Sequence, residues 1–436
     1  MKTNIRYLFK LFVGAAVWGV TLFFSSCRDD APELLNPQEY DINNNESLFL
    51  AFWHGMNNSY VYWDVDPTDW DAMYDQYLPV FQDLDEKMEQ IQMADNVSEE
   101  EAEAFVREMQ ETYDEAFGNM CRNLIDHHLD INIQTFLGND TIRVNLMPGM
   151  RDELPTRDYY HDFETVWRLY SIISSMEANG EIVDLVGGVF PPNYPLIKPN
   201  EKDASAFASY RTADGIICLH FPTFSFGDFV ADPSAIQTQV IRNFQKLIDE
   251  TPDVRGVIFD VRGNNGGNLD DIYEILAPLI DEDIHIGYVR TKSGTGRLDY
   301  GPWTPCVVHP AENHRKIDAP IVVLNDIFSI SMAEMLSMAV QTLPNGCVIG
   351  ERTAGGTGPL FGDFNFSYNG AFDNGTIQVS CATLMWKTVS GEIIEGKGVT
   401  PDIEFLQTPE VYNAMCQGSD LQLERAFEYI RTGNIE

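Results

Sequence analysis

Two short stretches of this 436-residue sequence combine side chains and backbone that could carry out acyl chemistry. The first is Ser329-Ile330-Ser331-Met332-Ala333-Glu334, which follows the apolar run Pro320 to Leu324 and opens the helical pattern Met332 to Val340. A serine in the first turn of a helix behind a strand holds its hydroxyl at the rim of a sheet, and the amides that follow point at any oxyanion forming there. Taken alone, Ser331 reads as a helix cap. The second stretch is Asp260-Val261-Arg262-Gly263-Asn264-Asn265-Gly266-Gly267, after the buried-strand pattern Gly256 to Val261. Paired glycines at a strand end let the backbone approach a ligand and expose amide donors; alone, they are an ordinary turn. No Gly-Lys-Ser/Thr accompanies them, so a phosphate loop is not supported. A serine hydroxyl is a poor nucleophile at neutral pH and needs an adjacent base. Histidine titrates in the useful range, and His127 and His128 stand together far upstream.

The elements that must bring these groups together are legible in outline. Phe49, Phe52, Trp53, Met56 and Tyr60 form one helical stripe, and Trp70, Met73, Tyr74, Tyr77, Leu78 and Phe81 a second. A third helix begins at Ser98, with Glu101 completing a capping box, and its apolar stripe runs from Ala102 to Leu124. After Asp126-His127-His128 the period changes to two, in Leu129, Ile131 and Ile133, so the histidines sit where a helix hands over to a strand. Residues 137–205 are irregular and rich in Pro and Asp. From Gly215 strands alternate with helices. Strand patterns cover Ile216 to Phe221, Gly256 to Val261, Pro320 to Leu324 and Thr376 to Trp386; helical ones cover Ile236 to Ile248, Leu269 to Leu279, Met332 to Val340 and Leu421 to Ile430. Such alternation predicts an α/β fold with a mostly parallel sheet, binding ligands at the carboxyl ends of its strands. The expected division is 1–27 leader, 28–47 tether, 48–136 helical domain, 137–205 linker, 206–406 catalytic core and 407–436 terminal helix.

In combination, the motifs resemble serine peptidase family 41, the tail-specific, carboxy-terminal-processing and tricorn-core proteases. The family's Asp-x-Arg-x-Asn-x-Gly-Gly is matched by Asp260 through Gly267, and its Ser-x-x-Glu by Ser331 through Glu334. Its Gly-x-x-Thr-x-Gly is matched by Gly350 through Gly355, and its Gly-Val-x-Pro-Asp by Gly398 through Asp402. The resemblance implies a ClpP/crotonase-like αβ core behind a small helical domain, and a serine-type peptidase working through an acyl-enzyme without metal or organic cofactor. Carboxy-terminal-processing members place a catalytic lysine where this chain has Gly356, which argues against a Ser–Lys dyad. Tricorn-like members draw a histidine from a Leu-x-Asp-Gly-His-like segment, matched by Leu124-Ile125-Asp126-His127-His128, and a glutamate before Gly-Val-x-Pro-Asp, matched by Glu395. The branch therefore implies Ser331 as nucleophile, His128 as base and Glu395 as the group orienting it, with oxyanion donors from Met332 and from Gly266 or Gly267. His127 is the alternative base, Glu395 is otherwise a surface carboxylate, and His220 reads as a satisfied core or edge histidine. No clear PDZ domain fits in 137–205, so substrate selection is expected in the cleft, by an extended peptide added to a sheet edge.

Composition sets the surroundings. A formal net charge of -39 repels phosphates and excludes nucleic acid as a natural partner. Lys2, Arg6 and Lys10 precede an apolar run from Leu11 to Phe24, short of the about 20 residues of a membrane span and suited to a secretory signal. Phe24-Ser25-Ser26-Cys27 resembles a bacterial lipobox, which implies cleavage before Cys27, its acylation, and a membrane anchor on the cell envelope; the alternative is a plain signal peptide. Asp29, Asp30 and Glu33 resemble a surface-export tag. The other cysteines form no CxxC, so a zinc site is not expected. The leading expectation is a lipid-anchored peptidase acting on exported peptides or proteins. Its rivals are a peptidase-like module that binds a peptide or ligand without turnover, and an acyl-transfer enzyme of the wider crotonase-like fold.

Overall fold

The computed structural model describes residues 41–94, 97–137, 140–148, 163–190, 205–229, 232–294, 296–360 and 370–434. The expected leader, Cys27 and most of the tether lie outside them. In chain order the main elements are α1 (Asn45–Ser59), α2 (Trp70–Met93), α3 (Glu99–Cys121), β1 (Asp130–Leu137), β2 (Asp140–Leu146), α4 (Phe163–Ala178), β3 (Ile182–Phe190), β4 (Ser205–Thr212) and β5 (Ile216–His220). They continue through α5 (Ile236–Glu250), β6 (Gly256–Asp260), β7 (Ile284–Thr291), β8 (Thr304–Val308), β9 (Ile321–Asn325), α6 (Met332–Gln341) and β10 (Gly346–Gly350). The last are β11 (Ala371–Asp373), β12 (Ile377–Ser380), β13 (Leu384–Lys387), β14 (Ile403–Glu404), α7 (Pro409–Cys416) and α8 (Leu421–Thr432).

The central sheet has seven strands in the order β14-β10-β9-β6-β5-β4-β3. The pairs from β14 to β5 are parallel, and β4 and β3 extend them antiparallel. Its central strands are buried on both faces, which is why they read as unbroken apolar runs. Leu219, Val257, Phe259 and Val323 face α5 and α6, while Cys218, Ile258, Val322 and Leu324 face α8. Each strand thus divides its residues between two cores with period two.

The helical layer is more than helices. Phe52, Phe81 and Phe117 pack on Ile131, Ile133, Ile142 and Val144, and also on Phe372, Ile377 and Val379. Those residues line a four-stranded antiparallel sheet, β11-β12-β1-β2, assembled from strands over two hundred positions apart. The hairpin β7–β8 also reaches this layer: Arg297 donates to Asn57 and to both oxygens of Asp71, and Arg290 pairs with Asp64.

Several expectations need revision. Residues 137–205, read as irregular, hold β2, α4 and β3. The stretch Leu269 to Leu279, read as one helix, is a string of short turns, the last of which, Ala277–Leu279, holds Pro278, which lacks an N–H. The strand expected over Thr376 to Trp386 is two, β12 and β13, belonging to different sheets. A single helix expected at the carboxyl end is the pair α7 and α8.

Candidate active site

The loops that follow β6 and β9 meet at the carboxyl ends of those strands. Asp260, the last residue of β6, starts a buried charge network rather than touching the cleft. Arg262 holds Asp260 through Nε at 2.8 Å and one terminal nitrogen at 2.6 Å, and grips Asp420 at 2.9 and 2.7 Å. His220 Nδ1 lies 3.0 Å from Asp260 Oδ2, at ion-pair distance but without hydrogen-bond geometry. Although burial opposes it, Arg262 and His220 keep the Asp260 carboxyl far below the usual range. Asp420 caps α8 through the Leu423 N–H, so the network ties the β6 loop to the terminal helix.

Beyond the network, Asn264 shapes the glycine pair. Its Nδ2 donates to Phe221 O at 2.8 Å, and its Oδ1 accepts the Gly266 N–H at 2.8 Å. Gly266 has φ 87°, and a Cβ on it would lie 2.5 Å from Ser331 Cβ and 3.0 Å from Ser331 Oγ. Only glycine lets the loop run this close to the serine. The Gly266 N–H, one of the expected oxyanion donors, is turned to Asn264 instead. Gly267 bridges Phe224 through its neighbours, since Phe224 N–H bonds Gly266 O and Asn268 N–H bonds Phe224 O. Its own N–H consequently faces away from that bridge.

Ser331 precedes Met332, the first residue of α6, with φ 60° and ψ -116°, a backbone conformation that costs an L-residue about 1–3 kcal/mol. The surroundings hold it there. Its N–H donates to Gly356 O and to Glu334 Oε2, both at 3.0 Å. Glu334 Oε1 accepts Thr353 Oγ1 at 2.6 Å and the Gly355 N–H at 2.8 Å. Glu334 is fully buried, and burial pushes its carboxyl up to about 7 despite these donors. It thus locks the serine's backbone to the Gly-x-x-Thr-x-Gly loop, a wider bracing role than holding its own helix. Met332 is the first residue of α6, so its N–H is among the first-turn amides without a carbonyl one turn earlier.

The histidines arrive from the loop between α3 and β1. Tyr60 Oη takes the Ile125 N–H at 3.1 Å, and Asp66 Oδ2 takes it at 3.0 Å. His127 is buried, and its N–H donates to Glu395 Oε1 at 3.0 Å. His128, partly exposed, turns its ring toward Gly356: a Cβ there would lie 3.3 Å from His128 Cε1 and 3.2 Å from Ile330 Cγ2. The Gly356 carbonyl accepts the Ser331 N–H, so the imidazole and the serine flank one glycine. The absence of a lysine at position 356, noted from sequence, therefore leaves the space beside which the imidazole sits. Among the described residues no hydrogen bond joins Ser331 Oγ to His128; such contacts often tighten only when substrate binds. Burial, with His127 alongside, lowers His128 to about 4, so the ring is neutral and able to accept a proton at pH 7.

Glu395 is buried rather than a surface carboxylate. Its Oε2 accepts Tyr62 Oη at 3.0 Å, the Thr357 N–H at 2.7 Å, Thr357 Oγ1 at 2.9 Å and the Gly358 N–H at 2.8 Å. Burial and the nearby Glu334 carry its carboxyl up to about 7 despite these donors. Asp126, which the sequence reading passed over as a site residue, is fully buried beside it. One polar atom each from Asp126, His128 and Glu395 lies within 4.8 Å of the others. The trio has the residue types of a metal site, but backbone amides already occupy every oxygen of the two carboxyls. That pattern fits groups holding an imidazole.

An αβ core with a serine at a helix start, glycines pressed against it and a histidine nearby is the arrangement expected of a serine peptidase. Residues 216–405, just under half of the chain, match the family model Peptidase family S41, and this segment is similar to that family. The chain is 30% identical to carboxy-terminal processing protease CtpA of Bacillus subtilis over 156 residues, 36% of this chain and 29% of CtpA. It is 29% identical to the tricorn protease of Thermoplasma volcanium over 178 residues, 40% of this chain and 14% of that protease. Each match therefore spans less than a third of the relative. A solved structure of a candidate peptidase from Parabacteroides merdae aligns over 90% of this chain and 98% of its own, with TM-score 0.56 and 20% identity, a likeness of fold.

Proposed function

We propose that the chain hydrolyses peptide bonds through an acyl-enzyme formed on Ser331, with His128 as general base and then acid. The observation that carries this reading is the convergence on Gly356: its carbonyl fixes the serine's backbone while the neutral His128 ring packs on its other side. In acylation Ser331 Oγ bonds to the scissile carbonyl carbon as its proton passes to His128. The proton then goes to the leaving amine as the C–N bond breaks, and a water repeats the sequence in reverse. Amides of Gly267 and Met332 are the donors proposed for the oxyanion. Glu395 acts as orienter, through the His127 backbone and its closeness to His128. The substrate is an exported peptide or protein, cut internally or processed at its carboxyl end. Residues 1–27 further support export and lipid anchoring at Cys27; no described helix is long and apolar enough to cross a membrane.

The test is labelling by a fluorophosphonate probe together with turnover of fluorescently labelled casein. Ser331→Ala is expected to abolish both, and His128→Ala to slow turnover by about 10²–10⁴-fold. Labelling that survives Ser331→Ala would sink the assignment.

A further inference from the structure

Asp126 stands two residues before the proposed base and none of its own chemistry is accounted for by the Ser331–His128–Glu395 set. Its Oδ1 accepts the His128 N–H at 2.8 Å, and its Oδ2 accepts the Ala382 N–H at 2.7 Å. The first bond closes an Asx turn that sets the direction in which the His128 side chain leaves the backbone. The second anchors that turn to the segment between β12 and β13, on the far side of the molecule's sequence. We propose that Asp126 is a positioning residue for His128, and that Asp126 and Glu395 together present one negative charge to the imidazolium formed when His128 takes the Ser331 proton. This rests on the peptidase reading of the same site.

The charge argument follows from burial. Asp126 is 0% exposed and Glu395 2%, and among the described residues neither has a lysine or arginine partner. Two like charges a few ångströms apart in a buried site repel, so one ionises and its neighbour resists. Burial first and then Glu395 drive the Asp126 carboxyl well up. The other groups facing the pair supply no cation either. Tyr60, Tyr62 and Asp66 stand on the helical side, Cys381 on the strand side, and Glu334 behind Glu395. Among the described residues, His127 and His128 are the groups beside the pair able to carry positive charge, and His128 gains one as it takes the Ser331 proton. An anion that matches a charge developing in the transition state stabilises that state more than the ground state.

The experiment uses the full chain, casein turnover across pH, and the variants Asp126→Asn, Glu395→Gln and the double substitution. Asp126→Asn is expected to lower kcat at least about tenfold, short of the ~10²–10⁴ of losing the base itself, with KM unchanged and the melting temperature lowered, because the amide nitrogen must face the His128 or the Ala382 N–H. Glu395→Gln frees Asp126 from repulsion, so Asp126 ionises more readily and the acid limb of kcat moves to lower pH. In the double variant the carboxyl contribution to that limb is lost, leaving the titration of His128, and the rate falls below that of either single variant. A wild-type kcat in Asp126→Asn, or a Glu395→Gln profile that superimposes on wild type, overturns the inference. Should Asp126→Asn fail to fold, the Glu395→Gln profile alone decides. Turnover that survives Ser331→Ala removes the peptidase reading and this inference with it. Turnover lost in Ser331→Ala but intact in Asp126→Asn removes only the inference.

Discussion

At the scale of single residues, the site is dominated by carboxyls in dry surroundings. Glu334 is the clearest case for a pH-dependent contribution to stability. Its unfolded value is near 4.5 and its folded value about 7. Between these limits the folded chain keeps a proton that the unfolded chain has lost, so stability falls as pH rises through the window and levels off above it. The size is of order 3 kcal/mol. Urea unfolding from pH 4.5 to 8 should show wild type losing about that much relative to Glu334→Gln; parallel curves would show that Glu334 is not protonated in the fold. At this scale the sequence told much. Ser331, His128 and Glu395 were named from motif and register, and the structure gathers them around Gly356 and the 357–358 amides. Asp126 stands in the Leu-x-Asp-Gly-His-like segment, but the segment alone assigns it no contact. Its meaning comes from the Ala382 N–H, 256 positions away. The engagement of Gly266 by Asn264 was equally invisible, since it depends on a loop folding back on itself.

At the scale of elements, Arg262 links the end of β6 to the start of α8. Its side chain is 2% exposed and holds two aspartates. Replacing it with alanine leaves Asp420 without its cation and Asp260 with His220 alone, which should cost about 3–5 kcal/mol. Urea unfolding of Arg262→Ala measures this, and a cost below 1 kcal/mol would mean that water reaches the pair. The elements themselves were legible where burial is simple. Strands β5, β6 and β9, buried on both faces, gave continuous apolar runs, and α1, α2, α3, α5 and α6 gave clean stripes. Legibility failed where tertiary context rules. Strand β3 is an edge strand interrupted at Val183 and Val186, with Asp184 at φ 57°, so its alternation is broken. Strands β12 and β13 are separated only by Cys381-Ala382-Thr383. Nothing local distinguishes that corner from continuing strand; its N–H groups are claimed by Gly370, Asp126 and Pro359.

At the scale of the whole molecule, charge and the proposed leader bear on location. The formal net charge of -39 is distributed over a chain whose basic groups are few, and several of them serve as internal braces, such as Arg262, Arg290 and Arg297. The proposed anchor predicts that the full chain labels with radioactive palmitate in a bacterial host and fractionates with membranes. Cys27→Ala should abolish the labelling, and a variant that still incorporates lipid would remove the anchor from the account.

The sheet β11-β12-β1-β2 couples the two ends of the catalytic apparatus in time as well as in space. Strand β1 pairs with β12 from Asp130↔Ser380 to Ile133↔Ile377, so the turn bearing His128 has its neighbour only once the last quarter of the chain is available. A polypeptide threaded through a secretion channel amino end first would carry its histidines outside long before the serine loop and the Glu395 segment follow. Until those late residues arrive, the proposed enzyme is in pieces. On the proposed export route, the two halves of the proposed site would meet only after both have crossed the channel.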